Sequence, residues 1–172
     1  MSWMFSHCES LTNIDLIYFD TSKTTDMSDM FSFCSSLTNL DVSNFNTNKV
    51  RNMRSMFYDC EKINSLDVNN FNTHNVVDMS HMFRDCKYLT VLDLHKFDTQ
   101  NVTTFWSMFN GCTELIQLDV SSFNTKNVES MNFTFYDCKN LTVDCSSWNV
   151  SNVSNYDNFN TNAPNIIPPT WL

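Results

Sequence analysis

The sequence predicts an α/β fold: a leucine-rich-repeat-like solenoid of about six 26-residue rungs, each a short parallel strand plus a short helix, with an atypical C-terminal cap. Three observations carry that expectation. A period of 26 residues runs along the chain, marked by Cys8, Cys34, Cys60, Cys86, Cys112 and Cys138. Within each period a strand-like alternation occurs, as in Leu37, Leu40 and Val42 of "LTNLDV". A helix-like stripe follows it: Val50, Met53, Met56, Phe57 and Cys60 fall at i, i+3, i+6, i+7 and i+10.

The strand is expected to point Leu40 and Val42 inward and Asp41 outward, because successive side chains of a strand alternate between faces. The helix is expected to run two to three turns. Residues that favour a helix start lie before or inside its first turn: Lys49, Asn75, Asn101 and Asn127, then Asp26, Asn52 and Asp78. No such unit can bury its own apolar face, so the units are expected to stack and share a core. Residues 1–138 form regular rungs of a single domain spanning 1–172. Residues 139–172 form the altered last rung and cap: Trp148 takes the second phenylalanine column, Tyr156 and Phe159 the methionine columns, and Ala163 the cysteine column. Met1 enters at the stripe of an ordinary rung, so the chain is expected to be a fragment, a truncation or a module that follows further repeats.

Composition narrows the function. Apolar residues make up 42% and charged residues 17% of the 172 residues, which is not the composition of a disordered chain. The formal net charge of −9 repels nucleic-acid phosphates and anionic lipid. No apolar run approaches the roughly 18 residues of a membrane span, so no membrane insertion is expected. The start, "MSWMFSHCESLTN", has neither the basic nor the apolar region of a signal peptide. With a single glycine, Gly111, the turns must be made by Asn, Asp and Ser.

The repeated cysteine closes the apolar stripe and is read as a buried free thiol rather than a disulfide or metal ligand. Equivalent side chains in stacked rungs point parallel to one another, and no C-x-x-C pair occurs. Cys145 replaces a core aliphatic residue and is read the same way.

Asp15, Asp41, Asp67, Asp93 and Asp119, with Asp144, form an acidic column. Like charges about 5 Å apart repel by roughly 0.8 kcal/mol even in water, so the column needs hydrogen bonds from neighbouring Ser, Thr or N–H groups, often of the next rung, or cations, or a basic partner. Thr21, Thr47, Thr73, Thr99 and Thr125 form a second polar column, read as turn and cap chemistry. Residues that break the repeat are candidates for recognition: His81, Arg84, Tyr88, His95, Lys96 and Trp106, with Trp3 and Tyr18. The candidate partner surface comprises Asp41, Asp67, Asp93, Asp119, Tyr88, His95 and Trp106. No phosphate loop, no nucleophile with a matched histidine and no singular polar cluster interrupts the repeat. The expectation is therefore a non-enzyme without cofactor or catalytic metal.

At "MFRDCKYLTVLDLHKFDTQNV", Met82 to Val102, the chain resembles the 26-residue repeat of BspA-like leucine-rich-repeat surface proteins, a bacterial and mycoplasma repeat family of unknown function. The likeness extends over essentially the whole chain. It implies a surface-displayed or secreted module that binds a protein or glycan partner, although the chain shows no export signal or anchor. The alternative is an intracellular or viral structural scaffold, in keeping with unpaired cysteines and the missing signal.

Overall fold

The 26-residue period reappears in the backbone hydrogen bonds. In the computed structural model, which describes residues 1–171, Met27, Asp29, Phe31 and Phe33 donate their N–H groups to the carbonyls of Asn52, Arg54, Met56 and Tyr58 at 2.7–2.9 Å. One unit later, Met53, Ser55, Phe57 and Asp59 donate to Asp78, Ser80, Met82 and Arg84. Parallel bridges at the start of each of these segments link Asp26, Asn52, Asp78, Thr104, Ser130 and Asn155 in succession.

The expected α/β leucine-rich-repeat-like solenoid, with one strand and one helix per rung, is overturned, because the described residues form no helix and only four short strands in two small sheets. The stripe from Val50 to Cys60 is a run of turns. Its alternate N–H groups turn back three residues, as in Met56 to Met53, Tyr58 to Ser55 and Cys60 to Phe57. The others leave for the neighbouring unit. An α-helix sends every N–H to the carbonyl four residues back, so the two patterns exclude each other. The local cause is a left-handed residue at every fourth position: Ser55 and Asp59 at φ 53° and 59°, His81 and Asp85 at 58° and 56°. Matching pairs recur in the other units, from Trp3 and His7 to Asn158 and Asn162. Each non-glycine residue so placed costs about 1–2 kcal/mol. Every left-handed residue from Trp3 to Asp137 also donates its N–H to the next unit, and those bonds hold the conformation. Asp26, Asn52 and Asp78 cap turns, not helices: their Oδ1 atoms accept the N–H two residues on.

The regular strands are likewise shorter and fewer than one per unit. They are β1 (Val91–Asp93), β2 (Gln117–Asp119), β3 (Val143–Asp144) and β4 (Ile166–Ile167). They pair in parallel as β1 with β2 and β3 with β4. The alternation expected of "LTNLDV" survives as burial: Leu40 and Val42 are buried and Asp41 is exposed.

The core is a set of columns. Phe5, Phe31, Phe57, Phe83, Phe109 and Phe135 stack face to face at centroid separations of 5.4–6.0 Å. Phe159 meets Phe135 edge-on and ends the parallel run. Burying each ring contributes on the order of 1.5–3 kcal/mol. At the C-terminal end Trp171 stacks on Tyr156 at 4.3 Å.

Candidate functional site

The cysteine, threonine and asparagine columns are spent on joining units. The thiols of Cys34, Cys60, Cys86, Cys112 and Cys138 donate at 3.0–3.2 Å to the carbonyls of Phe5, Phe31, Phe57, Phe83 and Phe109, one unit back. All seven cysteines are free thiols, and all but Cys8 are buried. Burial pushes the Cys34 thiol up to about 11 and those of Cys138 and Cys145 to about 12, so at neutral pH they are protonated.

The threonines are buried rather than arrayed on the surface. Thr47 Oγ1 donates to the Asn72 carbonyl at 3.0 Å and accepts the Asn72 N–H at 2.7 Å. The Thr47 carbonyl also accepts the Val50 N–H across a turn, so the expected turn chemistry accounts for part of the column and the hydroxyl adds a bond between units. Asparagine amides reach back the other way, as Asn75 to the Asn48 carbonyl, Asn101 to His74 and Asn127 to Gln100.

The acidic column lies exposed. Asp41, Asp67, Asp93, Asp119 and Asp144 each accept the N–H two residues on, from Ser43, Asn69, His95, Ser121 and Ser146. These bonds come from the same unit. Hydrogen bonding to Ser43 holds Asp41 below the usual carboxylate range, and bonding to His95 does the same for Asp93. The His95 ring also pairs with Asp93, Nδ1 to Oδ1 at 2.7 Å. Asp93 and Asp119 are register partners in β1 and β2. Among the described residues, no three His, Cys, Asp or Glu side chains come together as a metal donor set. Tyr88 stands 58% exposed, with its N–H bonded to the Glu61 carbonyl.

Trp106 belongs to a different surface. His81 packs on it at 4.7 Å and Arg54 lies over its ring at 6.0 Å. The aromatic run continues from His81 to Tyr58, then to Phe33 at 4.7 Å and from there to His7 at 4.4 Å. Arg84 lies over Tyr58 at 5.2 Å. A cleft of about 330 Å³ opens here, lined by Trp3, Asp29, Phe33, Arg54, Ser55, Tyr58, His81 and Arg84. The structure therefore joins His81, Arg84, Trp106 and Trp3 in one patch and leaves Tyr88, His95 and the acidic column outside it. Arg54, Phe33 and Tyr58 were absent from the sequence-based candidates. A signal was present: Phe33 stands in a column otherwise held by small or polar residues, and Arg54 shares with Trp106 a column whose other members include Ser28, Ser80 and Asn132.

Two of the patch's ionisable groups are displaced. Burial and the nearby Arg54 and Arg84 push His81 down to about 4, so its imidazole is neutral at pH 7. Burial raises Asp29, and Arg54 partly offsets the rise.

No curated protein and no solved structure matches the chain. A family model does match it over two overlapping stretches, residues 1–91 and 66–168, and its description is "Mycoplasma protein of unknown function, DUF285". The repeating columns and these two matches together assign the chain to the DUF285 family of mycoplasma proteins of unknown function.

Proposed function

We propose that the chain is a non-enzymatic recognition module of the BspA-like leucine-rich-repeat kind, displayed at a cell surface and engaging a protein or glycan partner. The observation that carries this reading is the division of labour between columns. The repeated Phe, Cys, Thr and Asn positions are buried or engaged with the neighbouring unit. Several of the residues that break the repeat, among them His81, Arg84 and Trp106, gather with Arg54 and Tyr58 in one patch, while Tyr88 and His95 lie outside it. Aromatic and arginine side chains supply most of the binding free energy at recognition surfaces.

The test is binding of the full chain to parallel arrays of extracellular proteins and oligosaccharides. A variant carrying Arg54→Ala, Arg84→Ala and Trp106→Ala serves as the control. Retention by the parent and loss in the variant is the expected result. Equal retention by both, or none by either, would overturn the reading. Antibody labelling of intact against permeabilised cells tests the surface assignment, since signal only after permeabilisation favours an intracellular scaffold.

A further inference from the structure

We propose that the cleft between Trp3 and His81 binds an uncharged saccharide. The assignment rests on the recognition reading above and names its ligand.

The argument begins with what the cleft cannot do. An extended peptide that adds to an edge needs free backbone groups. Here the N–H groups of Asp29, Ser55 and His81 already donate to Arg54, Ser80 and Trp106, at 2.8 Å each. The carbonyl of Arg54 is taken up by Asp29, and that of Ser55 by the Tyr58 N–H. Recognition must therefore come from side chains.

Those side chains are electrically balanced. The guanidinium of Arg84 is paired with Asp85, Nε to Oδ2 at 3.2 Å. Arg54 and Asp29 both line the cleft, and the Asp29 carboxyl feels the Arg54 charge. His81, 7% exposed, is neutral at pH 7. An anionic ligand would gain little net attraction in such a site and would lose its hydration.

What remains is a mixture of flat apolar rings and polar groups of both kinds, donors and acceptors. Trp3, Phe33 and Tyr58 supply the ring surfaces. Arg54 and Arg84 supply planar sets of donors, Asp29 an acceptor and Ser55 a hydroxyl able to act as either. A pyranose has the complementary construction. Its C–H faces are apolar and pack on aromatic rings, and its rim of hydroxyls requires donors and acceptors side by side. The volume of about 330 Å³ lies at the lower end of ligand clefts, which suits a short saccharide.

The full chain is applied to an array of neutral oligosaccharides of glucose, galactose and N-acetylglucosamine, together with sialylated ones. Each retained sugar is then titrated against tryptophan fluorescence, since Trp3 lines the cleft and Trp106 adjoins it. Expected are retention of neutral members and a saturable emission change. Arg84→Ala and Tyr58→Ala should each weaken binding about tenfold. Arg54→Ala, an exposed side chain, provides a variant without a folding penalty, and Tyr88→Ala on the other surface should bind as the parent does. Retention of sialylated sugars alone would overturn the proposal, as would neutral-sugar binding that survives all three cleft variants. Retention on a protein array with none on the sugar array would overturn the saccharide assignment and leave the recognition reading standing. Silence on both arrays would remove both.

Discussion

The thiol of Cys60 donates to the carbonyl oxygen of Phe31 at 3.2 Å, and the N–H of Cys34 reaches the same oxygen at 3.2 Å. Met-Phe-x-x-Cys returns every 26 residues because one phenylalanine carbonyl serves two cysteines in adjacent units. Cys60→Ala removes one of the two donors and opens a small void. It should cost about 1–3 kcal/mol in urea unfolding. Cys60→Ser keeps a donor and should lose less. Equal losses would show that the thiol acts through its volume alone.

The buried thiols also set an upper pH limit on stability. Burial raises their folded values to about 11 for Cys34 and about 12 for Cys138 and Cys145, while a free thiol titrates near 8.5. Their contribution is complete below the free value. It is lost as pH rises through the folded ones, because the unfolded chain releases protons that the folded chain retains. The urea midpoint should hold from pH 7 to about 8 and fall between about pH 9 and 11. At pH 8 a thiol reagent should label native Cys8, which is half-buried, well before the other six.

Thr73 shows why its column is threonine. Its hydroxyl donates to the Asp98 carbonyl of the next unit at 3.0 Å. The column holds threonine at positions 21, 47, 73, 99 and 125, and valine at Val150 in the altered last rung. Thr73→Val keeps the shape and strands a partly buried carbonyl, at an expected cost of about 1–3 kcal/mol. Val150→Thr should change the unfolding midpoint little. If Thr73→Val were neutral, the hydroxyl ladder would have no stabilising role.

Gly111 sits in a left-handed column at φ 76°, where the equivalent residues include Asp59, Asp85 and Asp137. A Cβ on Gly111 would overlap the carboxylate of Asp85. Gly111→Ala should therefore lose about 1–3 kcal/mol, combining backbone strain with that clash. The second substitution Asp85→Ala should recover part of the loss. A double-mutant cycle measures the coupling, and strict additivity would show that the carboxylate is not the obstacle.

Period, core columns and inward-facing residues were all legible in the sequence, because they depend only on which side chains avoid water. Phe57, Cys60, Leu40 and Val42 are buried as their spacing requires. The helix was misread because apolar residues three and four apart mark one face of successive turns as well as one face of a helix. The discriminating residues lie inside the stripe. Asp59, Asp85, Gly111, Asp137 and Asn162 repeat at one position and tolerate left-handed backbone, yet only the glycine stands out by composition. The abundance of asparagine was read as turn chemistry, and that accounts for part of it. Asn75 and Asn101, expected at helix starts, instead use their amides to reach the preceding unit, which a linear reading of the chain does not anticipate. Trp106 and its neighbour His81 were legible as breaks in the repeat, but the placement of Arg54 over Trp106 was not. Arg54 reaches it across two periods, a relationship that exists only after stacking.

The backbone bonds that tie Phe31 to Met56 and Phe57 to Met82 place the units in mechanical series. Tension applied between the two ends passes through every junction in turn, so resistance is set by the weakest junction and not by the sum. Pulled apart, the molecule should yield unit by unit. Each released period of 26 residues would add roughly 90 Å of slack at full extension, giving a sawtooth of nearly equal steps.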